Sequence, residues 1–226
     1  MSGVRVLMLG GSGLVGRALV ARLAKRDALR LHLLLRRAAL PLPANARAFV
    51  GDPLPVALEQ WQASAQGCDV FVSALGTTRS MAGSIEAFAR IDRDLVLRVA
   101  QEARKAGARQ AVLVSSVDAA ARSRNDYLRV KGELEEGVAA LGFDRCDFLQ
   151  PGLLLGAREG QPARPAERFG QRVAPLLNPL LIGPLARYLA VEAEVVAAAA
   201  AALVGRPAAG VLRHAGPALK ALAGEA

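Results

Sequence analysis

Short apolar runs alternate with segments of helical spacing along most of the chain. The first run, "VRVLMLG", leads into glycines and then into the helical "LVGRALVARLAKR". Five further runs follow with helices among them, namely "LRLHLLLRR", "ARAFVGD", "DVFVSALG", "QAVLVSS" and "RCDFLQPG". A last short strand is predicted near "GVLRH". Strands that are apolar on both faces and alternate with helices form parallel sheets covered on both sides. The sequence therefore predicts an α/β protein with a doubly wound parallel sheet, whose ligands bind beyond the carboxyl ends of the strands.

The chain length of 226 residues suits one domain, spanning 1–226, better than two small ones. The regular alternation stops after Gly152, and residues 153–190 are rich in proline and lack clear periodicity. We expect this irregular segment to form a small C-terminal extension on the substrate side of the domain. A final helix is predicted from about 191 to 204.

Composition and spacing argue against several classes of protein. The start, "MSGVRVLMLGG", lacks the features of a signal peptide, and the longest purely apolar run, 195–204, is far shorter than the roughly 20 residues of a membrane span. Cys68 and Cys146 are too few for a disulfide framework, and two histidines give no metal-ligand spacing. The net charge of +9 comes from scattered arginines without aromatic interleaving. We therefore expect a cytoplasmic protein without a metal, a membrane span or specific nucleic-acid binding.

The segment "GGSGLVG" separates the first predicted strand from the first predicted helix and spaces its glycines three residues apart. Glycines at such a junction allow a tight turn, close approach of a pyrophosphate and close packing of helix on strand. The free amides at the helix start, aided by the helix dipole, bind phosphate. A glycine-rich turn can also be only a turn, but this context predicts dinucleotide binding through Gly10, Ser12, Gly13, Leu14, Val15 and Gly16.

Arg36 and Arg37 end the second predicted strand, where a site for NAD would have an acidic residue to accept hydrogen bonds from the ribose. Because a guanidinium pairs well with phosphate, this ending favours NADP over NAD. A solvated basic loop is the alternative. Asp52 closes "FVGD", where it could accept a hydrogen bond from the adenine amino group, although an aspartate that begins a turn before Pro53 is equally ordinary.

The predicted helix "DYLRVKGELEEGVAAL" carries Lys131 on its apolar face, four residues after Tyr127. A lysine in this place can simply extend its ammonium to water. With Ser116 at the end of the fifth strand, however, the three side chains can surround one carbonyl group. Ser116 would hydrogen-bond its oxygen, Tyr127 would protonate it, and Lys131 would favour the tyrosinate and hold the nicotinamide ribose. Ser115 is a rival for the role of Ser116, and serines after a strand often only satisfy turn groups.

The glycine turn, the serine pair and "YLRVK" together resemble the short-chain dehydrogenase/reductase superfamily. The segments "ALGTTRS", "RIDRDLVLRVAQEARKAG", "FDRCDFLQPGLLLG" and "RPAERFGQ" resemble its atypical branch, which includes the human Tat-interacting oxidoreductase-like protein and its bacterial relatives. The resemblance implies an NADPH-binding Rossmann domain with Ser116, Tyr127 and Lys131 as the catalytic triad. It also implies cofactor contacts along the nicotinamide at Ala74, Leu75, Gly76, Thr77, Tyr127, Lys131, Pro151 and Gly152.

We therefore expect an NADP(H)-dependent carbonyl reductase or dehydrogenase acting on a small carbonyl or alcohol substrate. The alternative is a regulatory redox sensor, in which NADPH binding changes a surface that a protein partner recognises, with little or no turnover. A sugar-nucleotide epimerase is disfavoured because little chain follows Gly152 to build a substrate domain. "SALG" stands where the superfamily's typical branch has an asparagine motif, and the sequence predicts neither the substrate nor the oligomeric state.

Overall fold

The core of the domain is a seven-stranded sheet in which neighbouring strands run parallel. The computed structural model describes residues 3–38, 41–77, 79–155 and 183–225. Its strands are β1 (Val4–Leu9), β2 (Leu29–Leu35), β3 (Ala46–Val50), β4 (Val70–Ser73), β5 (Gln110–Val114), β6 (Arg145–Gln150), β7 (Leu154–Leu155), β8 (Val191–Glu192) and β9 (Gly210–Ala215). The order in the large sheet is β3–β2–β1–β4–β5–β6–β9. This is the strand order of a Rossmann fold with one strand added at the edge.

Helices cover both faces of this sheet. They are α1 (Leu14–Leu23), α2 (Leu54–Ala63), α3 (Arg79–Ala82), α4 (Ile85–Ala89), α5 (Val96–Lys105), α6 (Asp126–Ala139), α7 (Ala193–Leu203) and α8 (Pro217–Ala223). Along β1, Val6 and Met8 pack into the cluster formed with α1, α7 and α8, whereas Leu7 and Leu9 pack into the cluster formed with α2, α5 and α6. Alternate side chains of one strand thus enter two separate cores, and the predicted doubly wound α/β sheet is confirmed.

The strand register lines up the carboxyl ends of the central strands. Leu9 lies opposite Leu34 on one side and Ser73 on the other. Val114 at the end of β5 lies opposite Leu149 near the end of β6. Consequently the segments that follow β1, β2, β4, β5 and β6 all leave the sheet at one edge.

A buried ionic cluster joins β5, β6 and β9, with Gln110 and Arg145 at the amino ends of their strands. Asp147 is fully buried and accepts hydrogen bonds from Arg145 (2.5 and 2.8 Å), Gln110 (3.1 Å) and His214 (2.9 Å). Burial is the largest influence on this carboxyl group and opposes ionisation, but the hydrogen bonds from His214, Arg145 and Gln110 outweigh it and lower the pKa of Asp147. The cluster holds the edge strand β9 against the rest of the sheet.

The segment before α5 is not a regular helix throughout. It starts as a π-helical turn, Arg90–Leu95, and becomes regular only in α5. The last predicted helix, from about 191 to 204, is α7, and the residues before it form β8.

Residues 156–182 of the predicted irregular segment, 153–190, lie outside the described residues. In the described parts of the segment, β7 pairs with β8 in a small parallel sheet, and Gly183–Tyr188 form a 3₁₀ helix. Across the described ranges, no helix is both long enough and apolar enough to cross a membrane.

Candidate functional site

The glycine turn after β1 is as tight as its spacing predicts. Gly10 has a φ of +80°, and a Cβ on it would lie 2.4 Å from the backbone of Ala74 and Leu75. A Cβ on Gly16 would lie 1.9 Å from the carbonyl oxygen of Gly10, which also accepts a hydrogen bond from the amide of Gly13 at 3.0 Å. Larger residues at Gly10 and Gly16 would therefore push α1 and the loop after β4 away from β1.

The first turn of α1 lies at this sheet edge without a side-chain cap. Gly13 caps the helix with an extended backbone and without a side-chain hydrogen bond, and the first turn contains no acidic residue. Ser12 and Gly13 are exposed and Leu14 is half-buried, whereas Val15 and Gly16 are buried. Amides at a helix start bind anions, so this turn can hold the pyrophosphate of a dinucleotide.

Arg36, Arg37 and Asp52 lie side by side beyond β2 and β3. The strands are in register from Leu31 to Leu35, and the amide of Gly51 donates to the carbonyl of Leu35 at 3.0 Å. All three charged side chains are exposed. All three are therefore accessible from solvent at the edge of the sheet where β2 and β3 end.

The loop Ala74–Thr77 follows β4 directly beside the glycine turn. The amide of Ala74 donates to the carbonyl of Leu9 at 3.0 Å. Gly76 is exposed, while Ala74, Leu75 and Thr77 are half-buried. The loop thus forms one wall of the sheet edge at the junction of β1 and β4, where the strand order reverses and dinucleotides bind in folds of this type.

The two serines after β5 have different surroundings. Ser115 is buried, and its hydroxyl donates to the carboxylate of Glu135 at 2.6 Å. Ser116 is half-buried, and its hydroxyl makes a longer contact of 3.3 Å with the carbonyl of Val117. Ser115 is therefore held in the interior, and Ser116 is the more accessible of the two serines.

Helix α6 presents Tyr127 and Lys131 toward α4 and the π-helical turn. The helix begins at Asn125, whose side chain accepts hydrogen bonds from the amides of Tyr127 and Leu128 at 3.0 and 3.3 Å. The half-buried ring of Tyr127 stacks on Phe88, with centroids 5.3 Å apart.

The Lys131 side chain is only 3% exposed, and its ammonium donates to Asp92 at 2.7 Å. The ammonium therefore does not extend to water, which contradicts the interpretation of Lys131 as a surface lysine. Asp92 was missed from the sequence, although it lies four residues after the buried Phe88 and four before the buried Val96. A charge in an apolar stripe was the signal that could have found it.

Pro151 and Gly152 bring the end of β6 close to the described residues that follow the gap. A Cβ on Gly152 would lie 2.7 Å from the carbonyl oxygen of Tyr188, and the carbonyl of Pro151 accepts from the amide of Val117 at 3.1 Å. The hydroxyl of Tyr188 donates to Asp118 at 2.5 Å. The loop that carries Ser116 is thereby attached both to the end of β6 and to the 3₁₀ helix.

The fold and this edge define a class of protein, the NAD(P)-binding Rossmann proteins. A family model described as "NAD(P)H-binding" matches residues 10–159, more than half of the chain, and the chain belongs to that family. The match includes the glycine turn, Ala74–Thr77, both serines and the Tyr127–Lys131 pair. Membership supports binding of NAD(P)H, but it does not separate NADP from NAD.

Among its relatives are fungal proteins that carry the name Fmp52. "Protein fmp52, mitochondrial" of Emericella nidulans is 38% identical over 170 residues, which cover 73% of this chain and 73% of the relative. "Protein FMP52, mitochondrial" of Eremothecium gossypii is 35% identical over 179 residues, which cover 79% of this chain and 77% of the relative. These names state no chemical activity.

Two solved structures show the same fold at low identity. The enzyme WbmG of Bordetella bronchiseptica, in complex with NAD, has a TM-score of 0.65 and 16% identity, with 95% of this chain and 73% of that chain covered. A Rossmann-fold NAD(P)-binding family protein of Shigella flexneri has a TM-score of 0.56 and 18% identity, with 90% and 87% covered. At such identities the likeness establishes the fold alone.

The expected cytoplasmic location is contradicted by these relatives. Proteins 35–38% identical over most of the chain are named mitochondrial. The expectation rested on the lack of an export signal and on two unpaired cysteines. Neither observation distinguishes the cytosol from the interior of a mitochondrion, so the two observations did not justify the prediction of a cytoplasmic location.

Proposed function

We propose that this protein is an NADP(H)-dependent carbonyl reductase or dehydrogenase of the atypical short-chain type, acting on a small carbonyl or alcohol substrate. The observation that carries the proposal is the Tyr127–Lys131 pair on α6. Its lysine ammonium is buried, and its tyrosine is half-buried and stacked on Phe88. Among the described residues, the buried lysine has one acidic partner, Asp92, and it lies one helical turn from a phenol that solvent can partly reach, which suits proton transfer.

The proposed reaction uses three side chains of the chain and one cofactor. Bound NADPH supplies the hydride, or NADP accepts it in the reverse direction. Ser116 donates a hydrogen bond to the substrate oxygen, and the phenol of Tyr127 gives that oxygen its proton during reduction. Lys131 donates to the ribose hydroxyls and so helps to hold the cofactor. The half-buried position of Ser116 and its long contact with Val117 support its part in this scheme.

Replacement of Tyr127 by phenylalanine tests the chemistry. Tyr127→Phe removes one hydroxyl and keeps the ring that stacks on Phe88, so the fold and the affinity for NADPH should persist. Carbonyl reduction should fall by roughly 10²–10⁴-fold, the usual worth of a positioned acid. The measurement is the loss of NADPH absorbance with a panel of aldehydes and ketones, alongside a titration of NADPH affinity.

Turnover that survives in Tyr127→Phe would contradict the mechanism. A wild-type protein that binds NADPH but reduces none of the compounds would instead favour the regulatory alternative. In that case, capture of a protein partner that depends on NADPH would be the deciding measurement.

Replacement of Arg36 tests the preference for NADPH. Arg36→Glu replaces a phosphate-binding guanidinium with a carboxylate at the exposed end of β2. Affinity for NADPH should fall by roughly 10- to 100-fold, or about 1.4–2.8 kcal/mol, while affinity for NADH changes little. Arg30→Glu makes the same change of charge at the other end of β2 and should leave both affinities unchanged. Equal binding of NADPH and NADH by the wild type would refute the preference.

A further inference from the structure

Two of the contacts between α6 and the segment formed by α4 and the π-helical turn involve Tyr127 and Lys131. Phe88 stacks on Tyr127, and Asp92 pairs with Lys131. Phe88 and Asp92 are four residues apart on one element, and Tyr127 and Lys131 are four residues apart on the other. The segment therefore supports the same two side chains of α6 to which the proposed function assigns the chemistry.

The surroundings of Asp92 show what this carboxylate holds. It is fully buried, and its two oxygens accept from the ammonium of Lys131 at 2.7 Å and from the amide of Thr77 at 2.9 Å. A Cβ on Gly76 would lie 3.8 Å from the oxygen that Lys131 contacts. A buried carboxylate is costly unless it is paired, and both partners of Asp92 belong to the predicted cofactor site.

The backbone at Asp92 is also unusual. Arg90–Leu95 is π-helical between two regular helices. Such turns are rare and occur often at functional sites, because they redirect side chains within a helix. Here the turn contains the residue whose carboxylate reaches both α6 and the loop after β4.

We propose that Asp92 is a positioning residue, which holds the Lys131 ammonium and the Ala74–Thr77 loop in the arrangement that receives the nicotinamide ribose. The proposal rests on the proposed function, because it takes Lys131 to be a cofactor contact. An ammonium has three N–H donors, and within the described residues Asp92 accepts one of them. The other two can then be directed at ribose hydroxyls, while the same carboxylate fixes Thr77 in the opposite wall.

A double-mutant cycle on NADPH affinity separates positioning from a merely structural role. Asp92→Asn keeps the shape and an acceptor for Thr77 but removes the charge, and Lys131→Met removes the ammonium. If Asp92 acts through Lys131, each single substitution weakens binding by roughly tenfold, and the double variant binds no worse than Lys131→Met. Independent effects that multiply to roughly 100-fold in the double variant would overturn the proposal, as would wild-type affinity in Asp92→Asn.

Glu133→Gln is the matched control. It breaks the partly exposed pair between Arg93 and Glu133, which joins the same two elements at 2.5 Å without touching the site. Its affinity for NADPH should equal that of the wild type. A loss as large as that of Asp92→Asn would show that general loosening of α6 explains both results, and it would overturn the proposal.

Lysine NMR tests the contact between Lys131 and NADPH without any substitution, in case Asp92→Asn does not fold. The chain has four lysines, and Lys25, Lys105 and Lys220 are exposed. With ¹³C-labelled lysine side chains, the signal of buried Lys131 should move when NADPH is added while the other three stay in place. If NADPH binds and the Lys131 signal does not move, the proposal that Asp92 positions Lys131 is refuted, while NADPH binding itself still stands. A wild-type protein that binds no NADPH would refute the proposed function itself.

Discussion

Asp147 and Asp92 are buried to the same extent, yet their surroundings differ in kind. Asp147 lies within the sheet and accepts from three side chains, one of them an arginine that binds through two nitrogens. The remaining terminal nitrogen of Arg145 donates to the carbonyl of Ala208 at 3.1 Å. Asp92 lies at the carboxyl edge and accepts from one lysine and one backbone amide.

The difference lies in the cation rather than in the burial of the anion. Within the described residues, each side-chain nitrogen of Arg145 has an acceptor, and the cluster around Asp147 is complete without a ligand. In the same part of the chain, Lys131 has one acceptor for three donors. A buried pair whose cation has spare donors next to an accessible edge is therefore the one that we propose as a binding site.

The largest expected effect comes from breaking the complete cluster. Arg145→Met leaves Asp147 buried without its bidentate partner and should lower the free energy of unfolding by about 3–5 kcal/mol, measured by urea denaturation. NADPH affinity of the folded protein should not change. Arg109→Met breaks a pair of the same type with Asp144, but Arg109 is 79% exposed, and the cost should be only about 0–1 kcal/mol. If both variants lose the same free energy of unfolding, buried and surface pairs do not differ in their contribution to stability.

Breaking the pair at the edge should affect binding more specifically. Lys131→Met keeps most of the apolar stem but loses the donors for the ribose, so NADPH affinity should fall by roughly tenfold, together with turnover. Its stability should also fall, because Asp92 stays buried. Lys105→Met, in an exposed pair with Glu102, is the control and should bind NADPH normally. If Lys131→Met binds NADPH normally, the pair of Asp92 with Lys131 serves stability only, as the cluster around Asp147 does.

The smallest expected effect is the pH dependence of the complete cluster. Since the pKa of Asp147 is lowered in the folded protein, its stabilising effect is present above about pH 4, the ordinary range of an unfolded aspartate. This stabilisation is lost as the pH falls through the folded-state pKa. Asp147→Asn should therefore be less stable than the wild type at neutral pH, and the gap in urea denaturation should narrow toward pH 2. A constant gap would contradict the lowered pKa.

The sheet was predictable from sequence because most of its strands are short apolar runs that alternate with helical segments; β2 and β3 follow each other without a described helix between them. The buried Lys131 was also predictable, since helical spacing places it on the apolar face of α6. Its partner was harder to find, because Asp92 is 39 residues away and "RIDRD" offers a second aspartate, Asp94. The choice between Ser115 and Ser116 depends on Glu135, a contact between helix and strand that spacing along the chain cannot show.

The direction of the Asp92 side chain depends on the number of residues in the π-helical turn as well as on their chemistry. Each residue of a regular helix turns the chain by about 100°, and a π-helical turn holds one residue more than an α-helical turn of the same height. Deletion of a single residue within Arg90–Leu95 would let the segment become regular and would rotate Phe88 relative to α5. Tyr127 and Lys131 would then lose their alignment with Phe88 and Asp92 although every side chain of the two pairs remained. Within Arg90–Leu95, the protein should therefore tolerate many substitutions better than the deletion of one residue.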